Sequence, residues 1–88
     1  MIIHAKYLGR IREIVGKEEE SFVFKGGDVG DFFEFLFKKY GKKLKEHMED
    51  KLAEDYAVLV NGHNIGKNLE HRLRDGDDII FMPLVIGG

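Results

Sequence analysis

The chain has 88 residues, the length of one small domain, and carries a net charge of −2. That charge gives no general attraction to nucleic acid or to anionic membranes, so we expect neither as a partner. The absence of cysteine excludes disulfides, thiolate metal sites and cysteine nucleophiles, and it fits a reducing cytoplasm.

The first quarter of the chain predicts two strands separated by a short helix or turn. Residues 2–8 alternate between apolar and polar side chains, as a half-buried strand does. Residues 9–16 place apolar side chains at helical spacing between two glycines. Residues 21–25 predict a second strand with Phe22 and Phe24 on one face, and Gly26-Gly27 ends it.

The clearest predicted element is a long helix that begins after Asp28. Asp28 is a good N-cap, and Asp31 places negative charge in the first turn, where the helix dipole favours it. Gly41 stands where a C-terminal cap belongs. Apolar residues recur at helical spacing between these ends and form one broad stripe: Val29, Phe32, Phe33, Leu36, Phe37 and Tyr40.

The second half of the chain predicts a weaker helix followed by strands. Residues 42–53 carry Leu44, Met48 and Leu52 at a spacing of four. Tyr56–Val60 is a strand that the Asn61-Gly62 turn closes, and residues 63–65 return briefly. We expect Leu69 and Leu73 to anchor the irregular segment that follows.

The last strand covers residues 78–82 and directly follows the Asp75-Gly76 turn. Its apolar run predicts a central position in the sheet, and Pro83 ends it because proline has no N–H to donate. The predicted order is thus β-β-α-β-(β)-β. It favours an α+β architecture, the β-grasp: a mixed sheet of four to five strands with one long helix across one face. We expect this domain to span residues 1–83 and a flexible tail to span residues 84–88.

The side chains offer little of the usual catalytic chemistry. The four histidines show no ligand spacing, and the sole serine, Ser21, lacks a nucleophile motif. The run Glu18-Glu19-Glu20 predicts a solvated turn. Gly26-Gly27 before a helix could suggest phosphate binding, but Asp28 and Asp31 would repel an anion there, so a turn is favoured. No metal site is expected.

The C-terminal tail differs from the rest of the chain. Gly87 and Gly88 leave a carboxylate that no side chain obstructs, which suits a terminus threaded into a narrow channel and attacked at its acyl carbon. Two final glycines could also arise by chance. The apolar residues before them favour docking in a partner's groove: Leu84, Val85 and Ile86. Fully extended, the residues after Pro83 reach roughly 17 Å.

Several motifs together carry a resemblance to a known family over nearly the whole length. Residues 6–16, KYLGRIREIVG, hold a strand followed by an RE…G segment, and Val58 to Gly62 read VLVNG. Residues 73–78 read LRDGDD, and residues 83–88 read PLVIGG. The chain resembles the ubiquitin-like sulfur carriers of the MoaD–ThiS family, which include the small subunit of molybdopterin synthase. It departs from the family at Leu84, where a second proline is usual.

The resemblance implies a function and a reactive residue. A partner adenylyltransferase would use ATP and Mg²⁺ to adenylate the carboxylate of Gly88, and sulfur would then replace AMP to give a thiocarboxylate. Pro83 to Gly87 would bind partners, including the large catalytic subunit of molybdopterin synthase, where the sulfur passes to a pterin precursor of the molybdenum or tungsten cofactor. The chain itself would be a carrier without a bound cofactor.

Two other interpretations stay open at this stage. Small archaeal modifier proteins share these motifs, so Gly88 could instead form isopeptide bonds to lysines or serve tRNA thiolation. A β-grasp binding module without an activated terminus would also fit the fold. The sequence does not decide between molybdenum and tungsten.

Overall fold

A computed structural model describes residues 1–49, 56–66 and 68–84. Five strands and three helices lie in this part of the chain. The strands are β1 (Ile2–Tyr7), β2 (Glu19–Val23), β3 (Tyr56–Val60), β4 (His63–Gly66) and β5 (Asp78–Pro83). The helices are α1 (Gly9–Val15), α2 (Val29–Tyr40) and α3 (Lys42–Glu49).

The strands form one mixed sheet in the order β2-β1-β5-β3-β4. The first and last strands, β1 and β5, pair in parallel, and the other neighbours are antiparallel. The sheet and the long helix confirm the β-grasp prediction, including the central place of β5. The described residues hold three helices, so the expectation of one long helix was incomplete.

Alternating side chains on the central strands build the core. In β1 the residues Ile3, Ala5 and Tyr7 are buried and their neighbours are exposed. Phe81 of β5 stacks on Tyr7 with ring centroids 5.8 Å apart, and Phe33 of α2 lies 5.7 Å from Phe81. The apolar stripe of α2 therefore covers one face of the sheet, and the burial of these aromatic side chains dominates the packing.

The ends of α2 are set by the residues that the sequence indicated. The Asp28 carboxylate accepts a hydrogen bond from the Asp31 N–H at 2.9 Å, and the Asp31 carboxylate accepts one from the Asp28 N–H at 3.0 Å. This reciprocal pair satisfies two donors that an open helix start leaves free. At the other end Gly41, with φ of 85°, donates its N–H to the Phe37 carbonyl.

The bounds of β2 and the role of Leu69 differ from the prediction. Strand β2 starts at Glu19 and ends at Val23, because its antiparallel register with β1 begins where Glu19 faces Lys6. Leu69 is 46% exposed and anchors through its backbone, since its carbonyl accepts the Gly30 N–H. Leu73 is buried as expected. The predicted end of α3 at residue 53, with Leu52, lies outside the described residues.

Asp77, which is buried, fixes the start of β5 through a partly buried polar network. Its carboxylate accepts hydrogen bonds from the Asn61 side-chain amide and from the Arg74 N–H, both at 2.8 Å. The Asn61 side-chain oxygen in turn accepts the Asp78 N–H at 2.9 Å. Asn61 holds a left-handed backbone with φ of 52°, a conformation that asparagine tolerates better than most residues. The turn after β3 and the turn before β5 are therefore bound to each other.

Replacing Asp77 with alanine should destabilise the fold measurably. The change leaves the Asn61 amide and the Arg74 N–H without their acceptor, which costs about 1–3 kcal/mol of the free energy of unfolding. Urea denaturation measures the loss. Asp78→Ala is the matched control, because Asp78 is exposed and surface changes usually stay within about 0.5 kcal/mol. Equal stability of the two variants would contradict the network's role.

Candidate functional site

The candidate site begins where β5 ends, at one rim of the sheet. Pro83 is the last residue of β5 and pairs in register with Tyr56 of β3. Leu84 follows outside the strand and is 41% exposed. The prediction that Pro83 ends the strand is confirmed. The other predicted site residues, Val85 to Gly87 and the reactive Gly88, lie outside the described residues, and their roles stay predictions.

The face of the sheet opposite the helices carries apolar side chains near this rim. In β5 the residues that alternate with the core are Asp78, Ile80 and Met82, and Met82 is 39% exposed. Ala57 faces Met82 and Leu59 faces Ile80 across the β3 pairing. We call Ala57, Leu59, Ile80 and Met82 the open-face strip. The sequence signal was present, because β3 and β5 are apolar at consecutive positions rather than alternately.

A partly buried carboxylate lies at the same end of the sheet. Glu20 accepts hydrogen bonds from the hydroxyls of Tyr7, at 2.9 Å, and of Tyr40 on one of its oxygens. The Lys17 ammonium lies 3.2 Å from the other oxygen. The expectation of a solvated turn at residues 18–20 was therefore wrong for Glu20, whose side chain is only 9% exposed. The Tyr7 and Tyr40 hydroxyls, which are distant in sequence, supply the partners that make its burial tolerable.

These contacts shift the acidities of all three groups. Burial alone would raise the pKa of the Glu20 carboxyl, but hydrogen bonds from Tyr40, Tyr7 and Lys17 and the charge of Lys17 bring that pKa below its ordinary value. Burial, with the Glu20 carboxylate second, raises the pKa of Tyr7 and of Tyr40. Both phenols therefore remain donors at neutral pH. The cluster joins β1, β2 and α2 beside Phe81, which stacks on Tyr7.

The remaining candidate side chains take structural positions. His4 and Ser21 face each other across β1 and β2, with the imidazole Nδ1 2.7 Å from the hydroxyl oxygen. Gly26 and Gly27 adopt positive φ values in the connection between β2 and α2. Within residues 1–49, 56–66 and 68–84, no group of three or more histidine, aspartate or glutamate side chains could hold a metal ion. None of the helices described there has the length and apolar character of a membrane span.

The geometry supports a recognition surface more than a catalytic centre. The described side chains near the rim are apolar or hydrogen-bonded to one another, and an apolar strip leads up to the residue where the chain leaves the sheet. Such an arrangement can bind a partner and present the residues after Pro83 to it.

Comparison with known proteins relates the chain to one family over nearly its full length. The model of the ThiS family matches residues 5–88. The molybdopterin synthase sulfur carrier subunit of Mycobacterium tuberculosis is 31% identical over 88 residues, covering 98% of this chain and 96% of that protein.

Solved structures with the same fold include members of two functional groups. One of these structures is the protein–protein complex of subunits 1 and 2 of molybdopterin-converting factor from Helicobacter pylori. This protein is 27% identical to a chain of that complex, with a TM-score of 0.64, and the match covers 100% of both chains. The small archaeal modifier protein 1 of Methanosarcina acetivorans is 30% identical, with a TM-score of 0.74, covering 99% of this chain and 96% of that one.

The Glu20 cluster predicts a stability that depends on pH. The pKa of Glu20 is lower in the folded state than in the unfolded state. Ionised Glu20 therefore adds to the free energy of unfolding at any pH above its unfolded-state pKa of about 4.3, and this contribution is lost as the pH falls through its folded-state pKa. Glu20→Gln should lower the free energy of unfolding by about 1–3 kcal/mol at neutral pH, and this deficit should shrink in acid. Urea denaturation at several pH values measures it. Glu19→Gln is the control, because the neighbouring Glu19 is exposed. A deficit for Glu20→Gln that did not change with pH would contradict a stabilising role of the ionised carboxylate.

Proposed function

The chain belongs to the ThiS family, and from this premise we propose that it is a sulfur carrier whose reactive group is the carboxylate of Gly88. We assign it specifically as the small subunit of a molybdopterin synthase. The observation that carries the assignment is the exit of the chain from the central strand at Pro83, beside the open-face strip, of which Met82 is exposed and Leu59 and Ile80 are half-buried. Residues 1–83 then act as the recognition body and residues 84–88 as the segment that enters partner enzymes.

The proposed chemistry takes place on the terminal carboxylate and inside partner enzymes. An adenylyltransferase binds ATP and Mg²⁺, and the Gly88 carboxylate attacks the α-phosphate, which forms an acyl adenylate and releases pyrophosphate. Hydrosulfide, supplied by a sulfur donor, then attacks the acyl carbon, displaces AMP and leaves a thiocarboxylate. Its sulfur is an anionic nucleophile near neutral pH, for the reason that thiolates are. In the large subunit this sulfur is transferred to a pterin precursor.

The sequence of the tail suits that role. Gly87 and Gly88 have no side chain to block approach to the acyl carbon, and the three apolar residues before them can pair as a strand in a groove. The similarity to a chain of the Helicobacter pylori complex supports a partner subunit of the same kind. The 31% identity to the Mycobacterium tuberculosis carrier subunit supports the choice of synthase.

A second function is favoured by a specific similarity. The likeness to the small archaeal modifier protein 1 of Methanosarcina acetivorans supports a modifier that forms isopeptide bonds from Gly88 to lysines or serves tRNA thiolation. Both functions need the same activation step, so they differ in what receives the acyl group or the sulfur. Purification from the native cell separates them, since the synthase subunit would accompany one larger protein and the modifier would form a ladder of conjugates.

Activation at Gly88 has a direct test. The full chain, incubated with a cognate activating enzyme, ATP, Mg²⁺ and a sulfur source, should gain the mass that corresponds to one oxygen replaced by sulfur. Deleting Gly88 should abolish this change and leave the free energy of unfolding within about 0.5 kcal/mol of the parent. Omitting ATP is the control. A plain binding module would show neither an adenylate nor a thiocarboxylate, and that outcome would overturn both proposed functions.

Docking of the large subunit on the open-face strip gives a second prediction. Met82→Asp should weaken that complex by about tenfold or more, because a charge replaces the most exposed apolar side chain of the strip. Val23→Asp is the matched control. Val23 is 76% exposed on the same face of the sheet, but at the edge strand. Titration calorimetry with the large subunit measures both affinities.

The two outcomes of that titration are distinct. Loss of affinity only in Met82→Asp supports docking on the open-face strip. Equal affinities for the two variants would show that the partner binds elsewhere. Thermal unfolding of both variants confirms that each remains folded, as expected for side chains that are exposed in the parent.

A further inference from the structure

A second concave site lies at the opposite end of β5 from the tail. It encloses about 370 Å³. Asn61 and Asp77, the pair that fixes the start of β5, form part of its lining. The other polar side chains that line it are basic: His63, His71, Arg72 and Arg74. This concentration of basic groups occurs in a chain whose net charge is −2, so it is not a consequence of overall composition.

The arginines of this site have no acidic partner within the described residues. The ion pairs among the described residues do not include Arg72 or Arg74. Their basic members are Arg10, Arg12, Lys17 and Lys42. The charge of Arg72 and Arg74 is therefore not neutralised by the described residues. Guanidinium groups without a carboxylate partner remain available to an anion from solution.

Three carboxylates near the site in sequence or in space are already engaged in hydrogen bonds. Both Asp77 oxygens accept hydrogen bonds, from the Asn61 amide and the Arg74 N–H. Asp28, whose backbone bridges to Arg72, uses its carboxylate to cap α2. Asp75 accepts the N–H of Ile2 at 2.6 Å. These three carboxylates are therefore held by backbone and amide donors and not by the arginine side chains.

We propose that the concavity formed by His63, His71, Arg72 and Arg74 binds a small phosphate-bearing ligand. Two guanidiniums and two imidazoles offer more donors than the two oxygens of a carboxylate can accept, whereas the oxygens of a phosphate or pyrophosphate can use them. The volume accommodates such a group.

The position of the site separates it from the chemistry of the tail. Asp77 and Asn61 lie at the start of β5, and the chain leaves the sheet at the other end, at Pro83. At the rise of a strand, Asp77 and Pro83 are roughly 20 Å apart. The site therefore lies away from the point where the chain leaves the sheet, and it does not depend on the function proposed above.

Titration of the full chain with pyrophosphate tests the proposal. At constant ionic strength, NMR should show saturable shifts of the amides around residues 61–63 and 71–77. Arg72→Ala/Arg74→Ala should weaken binding by about tenfold or more, because both guanidiniums are lost. The matched control is Arg10→Ala/Arg12→Ala, which removes the same charge from exposed arginines that already pair with glutamates. It should change binding by less than about twofold.

Three results would overturn the proposal. Shifts that do not saturate, or that spread over the surface lysines, show only nonspecific screening. Equal weakening in the two double variants shows that net charge and not the site matters. Citrate serves as a carboxylate probe, and binding as tight as that of pyrophosphate would exclude selectivity for phosphate. Since Arg72 and Arg74 are exposed, thermal unfolding should confirm that the double variant is folded.

Discussion

Asp77 ties three strands of the sheet together at one point. Its backbone carbonyl accepts the His4 N–H from β1, and its carboxylate accepts the Asn61 amide from the end of β3. The same residue immediately precedes β5. The parallel pairing of β1 with β5 joins the two ends of the chain, which is the contact of greatest sequence separation and greatest loop-closure cost in this fold. A buried and satisfied carboxylate fixes the register of that contact.

The opposite end of β5 is held by different forces. There Phe81 stacks between Tyr7 and the face of α2, and the Tyr7 hydroxyl binds Glu20. The exit point at Pro83 thus belongs to a paired strand whose neighbouring side chains are packed, although it lies at the rim. A reactive segment that starts from a rigid element is presented to a partner with less loss of entropy than one that starts from a loop.

Much of this arrangement follows from local sequence. The stripe and caps of α2, the Asn61-Gly62 turn and the central place of β5 were predicted, since each depends on residues close in sequence. Glu20 was misread because a run of glutamates is usually solvated, and its partners Tyr7 and Tyr40 come from other elements. The mutual binding of the two turns by Asn61 and Asp77 was missed for the same reason. The Asn61-Gly62 and Asp75-Gly76 turns were both recognised in the sequence, but only the fold places Asn61 in contact with Asp77.

The apolar character of both faces of β3 and β5 has a cost that a solitary domain would avoid. The solvent-facing side of an antiparallel sheet normally carries polar residues, yet Ile80, Met82 and Leu59 face outward here. In the proposed carrier this cost has a reason. The strip and the tail are contiguous at Pro83, so docking of the body holds the tail near the partner's active site at a high effective concentration. In that proposal residues 1–83 supply no catalytic group. The open-face strip therefore determines which partner binds, and the bound partner determines which reaction takes place.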